Sequence, residues 1–265
     1  MSEALLEVDG LRRSFVDPRT EEEVVAVEDL SFSVRPGEFV SILGPSGCGK
    51  TTVLNVIAGF MEPTAGRVLL RGRPVREPGP DRGVVFQSFA LFPWKTVLGN
   101  VTFGLKMRGL PKLDRERIAH EYLDLVGLKG FEHRYPHELS GGMQQRVGVA
   151  RVLANEPDVM LMDEPFASVD AQTRMKLQED LTHIWEERRP TIFFVTHDVE
   201  EAIFLADRVI ILTPRPGKVR RIVEVGIPRP REWRRLLDDH AFRRRTQDIV
   251  DLLGEHDEGR RPVAP

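Results

Sequence analysis

The chain has very few of the residues that mark secreted or membrane-embedded proteins. Its single cysteine, Cys48, cannot form a disulfide within the chain, which is typical of a reducing cytoplasm. The N-terminal segment Met1–Glu7 has acidic residues where a secretory signal has basic ones. No apolar run approaches the roughly 18 residues that cross a bilayer. We therefore expect a soluble chain that reaches a membrane only through a partner.

The charges of the chain are nearly balanced. Its 38 basic and 41 acidic residues give a net charge of -3. Because proteins that bind nucleic acid usually carry a basic excess, we expect no nucleic-acid partner. With 265 residues, of which 41% are hydrophobic, the chain is long enough for a complete α/β core and a smaller subdomain.

The spacing of apolar residues predicts alternating strands and helices. Short strands are predicted between Leu5 and Val34, a buried strand at 39–43 and a helix at 51–58. The strand pattern returns later, with helices between its occurrences, at 158–162, 191–195 and 209–212. This alternation favours a largely parallel sheet.

Residues 88 to about 155 differ from the rest, because aromatic and proline residues are followed there by helical segments. We interpret them as a helical subdomain inserted into a domain of residues 1–225. The arginines of residues 226–254 are interleaved with acidic residues, which predicts a solvated helical tail rather than a binding patch. The composition of residues 255–265 predicts disorder.

One run has the form of a phosphate-binding loop: Gly44-Pro45-Ser46-Gly47-Cys48-Gly49-Lys50-Thr51, followed by Thr52. Its glycines let backbone N–H groups approach phosphate oxygens, Lys50 reaches the β- and γ-phosphates, and Thr51 offers a hydroxyl to Mg²⁺. A glycine-rich turn that binds nothing is the alternative. The strand before the run and the helix after it favour a nucleotide site over Gly44–Thr52.

Two acidic residues end the apolar strand Val159–Met162, at the edge of the sheet where ligands bind. We predict that Asp163 holds Mg²⁺ and that Glu164 polarises the attacking water. The structural alternative is that an Asp-Glu-Pro sequence simply ends the strand and caps a helix.

Two further motifs can act either in capping a helix or in binding phosphate. His197 follows another apolar strand, and Asp198 with Glu201 can form a capping box after it. The serine and glycines of Ser140–Gly142 open a helix, whose N-terminus can hold a second phosphate. An ordinary serine N-cap is the alternative.

The phosphate loop occurs together with a second run, Leu139-Ser140-Gly141-Gly142-Met143-Gln144-Gln145-Arg146. In this order the two resemble the ATP-binding cassette family, over about residues 5–225. The resemblance implies an α/β fold with a nucleotide-binding core on a mainly parallel sheet, an N-terminal antiparallel β subdomain and the inserted helical subdomain. It also implies ATP hydrolysis, with ATP and Mg²⁺ as cofactors.

The same resemblance implies roles for single residues. Glu164 is the catalytic base, His197 contacts the γ-phosphate, and Gln87 touches Mg²⁺ and the water. Phe15 stacks on adenine, with a core phenylalanine as the alternative. The ATP of a second copy binds Ser140, Gly141, Gly142 and Gln144, and Asp170 lies in the loop that crosses between copies. Ser168 and Val169 depart from the Ala-Leu that many members have there.

A transporter subunit is the favoured function. The chain lacks the Asn-Lys-x-Asp motif of GTPases, and also the second cassette or cysteine-bearing coiled coil of translation and repair proteins. An exporter subunit and a soluble, non-transport cassette ATPase are the alternatives within the family. The closer resemblance is to the nitrate/sulfonate/taurine importers, and it lies in Leu91–Trp94, Glu164–Arg174 and Leu212–Gly217.

The resemblance to importers implies several partners. A second ATPase subunit completes a homodimer, permease subunits cross the membrane, and a substrate-binding protein acts indirectly through them. The chain would then lie at the cytoplasmic face of the membrane. Residues 88–97 would line a groove for a helix of the permease, with burial inside the subdomain as the alternative.

Overall fold

The computed structural model describes residues 4–254 of the chain. The strands in chain order are β1 (Leu6–Val16), β2 (Glu23–Val34), β3 (Phe39–Leu43), β4 (Ala65–Leu70), β5 (Arg73–Pro74), β6 (Arg82–Val85), β7 (Val159–Asp163), β8 (Ile192–Thr196), β9 (Arg208–Leu212) and β10 (Val219–Glu224). The α-helices are α1 (Lys50–Ala58), α2 (Val97–Met107), α3 (Lys112–Leu125), α4 (Gly141–Leu153), α5 (Ala171–Arg188), α6 (Val199–Leu205), α7 (Trp233–Leu236) and α8 (His240–Gly254). None of these helices is long and apolar enough to cross a membrane.

The chain divides into two compact units. The first unit is drawn from residues 1–78 and 193–265, and the second unit from residues 79–192. The predicted bounds of the domain and of its insertion, 1–225 and 88–155, remain predictions. Residues 255–265, for which disorder was predicted, lie outside the described part of the chain.

An antiparallel sheet occupies the N-terminal part of the first unit, in the order β2-β1-β4-β5. Val8 of β1 pairs with Phe32 on one side and with Val68 on the other. All three side chains are buried, because alternate residues of these strands face the core. The predicted N-terminal antiparallel sheet is confirmed.

The first unit also contains strands in the order β10-β9-β3-β8. Strand β3 runs parallel to β9, and β10 runs antiparallel to β9. Every residue of β3, β8 and β9 is buried, as expected for strands covered on both faces. The prediction of an α/β fold with mainly parallel strands is confirmed.

The second unit combines two parallel strands, β6 and β7, with the helices α2 to α5. Helix α2 begins after Thr96, whose side chain accepts a hydrogen bond of 3.1 Å from the N–H of Gly99. Buried Asn100 then fixes the preceding loop, because its amide bonds to Phe92 at both the N–H and the carbonyl. These local bonds orient the segment that follows Gln87.

One part of the C-terminal prediction is wrong. Arg231 is 3% exposed, not solvated. Its guanidinium donates to the carbonyls of Ile203, Phe204 and Ala206 at 2.7–3.0 Å, and also to Ile227. The carbonyls of Ile203, Phe204 and Ala206 lie at the C-terminal end of α6, where backbone carbonyls lack helical partners and attract a cation. Arg231 is therefore a structural cap rather than a surface charge.

Candidate nucleotide-binding site

The phosphate-binding run forms a tight loop between β3 and α1 in the first unit. Gly47 and Gly49 have φ angles of 77° and 101°, in the left-handed region that favours glycine. A Cβ on Gly49 would lie 2.4 Å from Val27 Cγ1, and one on Gly44 would lie 2.8 Å from Cys48 Sγ. The backbone of the loop therefore depends on glycine at these positions.

The loop is pressed against a neighbouring segment. A Cβ on Gly217 would lie 2.1 Å from the carbonyl oxygen of Cys48. Gly217 is itself held to β2, since its N–H donates to Ala26 and its carbonyl accepts from Glu28, both at 2.9 Å. Val27 and Gly217 thus pack directly against the phosphate-binding loop, at Gly49 and Cys48.

Lys50 supplies a buried cation at the start of α1. Its ammonium donates to the carbonyls of Gly44 at 2.7 Å and Pro45 at 3.2 Å. Among residues 4–254, no carboxylate forms an ion pair with it. A buried ammonium held only by neutral carbonyls is poised for an anion, and the helix N-terminus beside it favours the same charge. The loop therefore fits a phosphate group.

The other residues of the loop differ in exposure. Pro45, Ser46, Gly47 and Thr51 are exposed, and Thr52 is half-buried. Cys48 is 1% exposed, and burial raises the pKa of its thiol. Its side chain is therefore a small core residue and a poor nucleophile at neutral pH.

Phe15, near the end of β1, is 37% exposed. The guanidinium carbon of Arg13 lies 4.8 Å from its ring centroid. The alternative of a core phenylalanine is therefore wrong. Stacking on adenine remains a prediction.

His197 is exposed directly after β8, and Asp198 caps the helix that follows. The Asp198 carboxylate accepts from the Glu201 N–H at 3.0 Å. The Thr196 hydroxyl accepts from the Asp198 N–H and donates to the Glu201 carboxylate. The Asp198 cap is confirmed, but the predicted capping box is not, because the Asp198 N–H and the Glu201 carboxylate both bond to the Thr196 hydroxyl. These bonds fix the backbone on both sides of His197. The contact of His197 with phosphate remains a prediction.

In the second unit, Asp163 is the last residue of β7 and Glu164 follows it. Glu164 has a φ angle of 43°, in the left-handed region. This conformation costs a non-glycine residue of the order of 1–3 kcal/mol and occurs most often at functional sites. Nothing in the sequence indicated it, because the usual signal for such a backbone is glycine.

Ser140 caps α4, since its hydroxyl accepts from the Met143 N–H at 3.4 Å. Gly142 is buried, and a Cβ there would lie 2.7 Å from Thr173 Cγ2 of α5. The Gln144 amide donates to the carbonyls of Pro136 and Leu139, which braces the segment before α4. Ser140 and Gly141 are exposed, and the phosphate role of this helix start remains a prediction.

Gln87 and the loop before α5 lie together in the second unit. The Ser168 hydroxyl donates to the carbonyl of Gln87 at 3.5 Å, and the Gln87 side chain is exposed. Asp170 caps α5 by accepting from the Thr173 N–H at 3.0 Å. This backbone hydrogen bond lowers the pKa of Asp170, so the cap is ionised at neutral pH.

Arg151 fixes the segment after Gln87, a role that no motif in the sequence predicts. Phe89 and Ala90 have positive φ angles of 55° and 45°. The Arg151 guanidinium donates to the carbonyls of both, at 3.4 Å and 2.7 Å. Burial lowers the pKa of Arg151. No sequence signal distinguishes this arginine from the other arginines of the chain.

An open cavity of about 460 Å³ lies beside this segment. Its lining includes Phe92, Phe103, Met107 and Arg151. Trp94 is 71% exposed, so burial of the whole 88–97 stretch inside the subdomain is wrong. Binding of a permease helix there remains a prediction.

A buried strand, a glycine loop and a lysine-headed helix together define a phosphate-loop nucleotide-binding protein. The profile of the ABC transporter family matches residues 27–167, just over half of the chain. The chain belongs to this family and is an ATP-hydrolysing ATP-binding subunit. The ATP-binding cassette resemblance is confirmed.

Relatives align along nearly the whole chain. The nitrate import ATP-binding protein NrtD of Synechococcus elongatus is 43% identical over 94% of this chain and 91% of its own length. The taurine import ATP-binding protein TauB of Roseobacter denitrificans is 42% identical over 96% of this chain and 95% of its own length. A solved dimeric structure of the ATP-binding cassette MJ0796, with ADP and Pi bound, is 33% identical and covers 84% of this chain and all of its own, with a TM-score of 0.72.

Proposed function

We propose that this chain is the ATPase subunit of a membrane transporter that imports a nitrate-, sulfonate- or taurine-like solute. The observation that carries the proposal is that two import ATP-binding proteins align with more than 90% of this chain and of their own lengths. The chain itself then lies at the cytoplasmic face of the membrane and binds permease subunits. A substrate-binding protein acts through those permeases.

The nucleotide phosphates bind at the loop Gly44–Thr52. Lys50 faces the β- and γ-phosphates, and its buried ammonium, held only by carbonyls, supports this role. Phe15 stacks on the adenine through its exposed ring face.

The donor set of the proposed metal site fits Mg²⁺. Thr51, Gln87 and Asp163 offer a hydroxyl, an amide carbonyl and a carboxylate, which are the hard oxygen ligands that Mg²⁺ prefers. When bound, the ion neutralises charge on the β- and γ-phosphates.

Glu164 accepts a proton from the water that attacks the γ-phosphate, and Gln87 orients that water. His197 donates a hydrogen bond to the γ-phosphate. The left-handed backbone of Glu164 supports its assignment, since such strain is typical of functional residues.

Two copies of the chain share each ATP. Ser140, Gly141, Gly142 and Gln144 of one copy bind the nucleotide held by the other, and Asp170 lies in the loop that crosses between them. The exposure of Ser140 and Gly141 at a helix N-terminus supports this arrangement. The dimeric ADP-bound cassette MJ0796 is a solved structure similar to this chain.

Crosslinking tests the shared site. Chains with Ser140→Cys are mixed with chains with Ser46→Cys, both with Cys48→Ser and Glu164→Gln to retain ATP. We expect ATP-dependent linkage between the two chains. Linkage that forms only within a single chain carrying both cysteines would refute the shared site. Two chains with Ser140→Cys alone serve as the control.

Reconstitution tests the transport function. The subunit is purified with its natural membrane partners and placed in vesicles with ATP inside, where the subunit lies. The substrate-binding protein is added outside together with nitrate, taurine or an alkanesulfonate. We expect ATP-dependent accumulation of one of these solutes, and none with Glu164→Gln. ATP-dependent loss of solute from preloaded vesicles would indicate an exporter. Failure to bind any membrane partner would favour a soluble ATPase.

A further inference from the structure

A small, partly open cavity lies between α4 and α5 in the second unit. Its volume is about 20 Å³. A single water molecule needs roughly 10–15 Å³ of such volume, so the space fits one water and nothing larger. Val149, Phe166 and Leu177 make part of its wall apolar.

Gln145 of α4 lines this cavity and is fully buried. Neither its amide nitrogen nor its amide oxygen has a hydrogen-bond partner among residues 4–254. A buried amide without partners is unfavourable, and native proteins usually satisfy such a group with ordered water. The cavity is the space that remains for that partner.

Arg146 of α4 and Asp180 of α5 supply further polar groups to the lining of the cavity. Arg146 donates to the carbonyl of Val126 at 2.9 Å and to the carboxylate of Asp180 at 2.5 Å. Both Arg146 and Asp180 line the cavity. A buried water needs two to four polar partners. The Gln145 amide offers a donor and an acceptor, and the Asp180 carboxylate, which also lines the cavity, can accept a further hydrogen bond.

We propose that the cavity holds one structural water molecule, bonded to the Gln145 amide and to the Asp180 carboxylate. This water joins α4, which starts after Ser140, to α5, which starts after Asp170. Gln145 is thereby a positioning residue for both helix starts. The consequence for turnover rests on the proposed function, whereas the water site itself does not.

Crystallography of the full chain tests the site directly. At a resolution that shows ordered water, we expect one isolated density peak within hydrogen-bond distance of the Gln145 amide and the Asp180 carboxylate. A cavity without density, or a Gln145 amide bonded directly to protein groups, would overturn the proposal.

A double-mutant cycle gives a second measurement. Val149→Ile adds a methyl group at the cavity and displaces the water, which leaves the Gln145 amide without a hydrogen-bond partner. We expect the unfolding midpoint to fall by about 2–4 °C, the shift that one kcal/mol produces in a protein of this size. In a Gln145→Met background, Val149→Ile instead fills an apolar space. The fall in the unfolding midpoint caused by Val149→Ile should therefore be at most half as large there.

Val147→Ile is the matched control, because Val147 is buried on the same helix but does not line the cavity. Its effect should be equal in both backgrounds. Additive effects of Val149→Ile and Gln145→Met would overturn the proposal. Loss of ATP turnover in Gln145→Met, with nucleotide affinity retained, tests the positioning role separately.

Discussion

Replacing Arg231 by alanine tests whether the segment after β10 is part of the folded core. The guanidinium bonds to three carbonyls at the end of α6 and to Ile227, all in buried surroundings. A buried carbonyl left without a partner costs about 1–3 kcal/mol. For the four carbonyls together the lower limit is about 4 kcal/mol. Because water enters the space that the side chain leaves, we expect the free energy of unfolding to fall by about this lower limit.

For a protein of this length, each kcal/mol shifts the unfolding midpoint by about 2–4 °C. Arg231→Ala should therefore lower the midpoint by about 8–16 °C in a thermal melt followed by fluorescence or circular dichroism. The matched control is Arg235→Ala. Arg235 lies in the same segment, has a side chain that is 76% exposed and pairs with Glu232 at 3.1 Å. Arg235→Ala should lower the free energy of unfolding by no more than about 0.5 kcal/mol.

Equal midpoints for Arg231→Ala and Arg235→Ala would refute the reasoning. That result would mean that the carbonyls of α6 are satisfied without the guanidinium. Arg231→Lys should fall between wild type and Arg231→Ala, because one ammonium cannot reproduce the planar fork of donors.

Three further predictions concern the candidate site. Glu164→Gln should abolish ATP turnover while nucleotide binding persists, since glutamine cannot accept a proton from water; a normal hydrolysis rate would remove Glu164 from the base role. Lys50→Ala should weaken ATP binding about 10–100-fold in a titration, the equivalent of a lost charge-assisted bond of about 1.5–3 kcal/mol, and unchanged affinity would contradict it. Burial raises the pKa of Cys48 from the ordinary thiol value of 9.0, so the ultraviolet absorbance of its thiolate should develop at higher pH in the folded protein than in the unfolded chain, and coincident titration curves would contradict this. Because burial disfavours the thiolate in the folded state, the free energy of unfolding should fall as pH rises from the unfolded-state pKa to the higher folded-state pKa of Cys48. Cys48→Ser should remove this dependence.

Much of the site followed from local sequence patterns, because the groups concerned are close together in the chain. The strand, the glycine loop and the lysine of residues 39–50 are such a local unit, and their spacing alone predicts phosphate binding. The caps at Ser140 and Asp198 were predictable for the same reason, since a cap bonds only two or three residues ahead.

Other features depend on groups far apart in the chain. Arg231 resembles its exposed neighbours in sequence, and only the carbonyls some 25 residues earlier make it a buried cap. The left-handed backbone of Glu164 is equally hidden, because a glutamate carries no local sign of it. Arg151 acts on Phe89 and Ala90 across about 60 residues, which no periodicity reveals.

The contacts of Val27 and Gly217 with the phosphate loop constrain how the protein can change by mutation. A side chain at Gly217 would press on the backbone carbonyl of Cys48, and a side chain at Gly49 would meet Val27. The sequence of the loop therefore cannot drift independently of β2 and the turn before β10. Substitutions at these distant positions should therefore change the shape of the loop, and transplanting the eight-residue motif into another scaffold would leave behind the surface that shapes it.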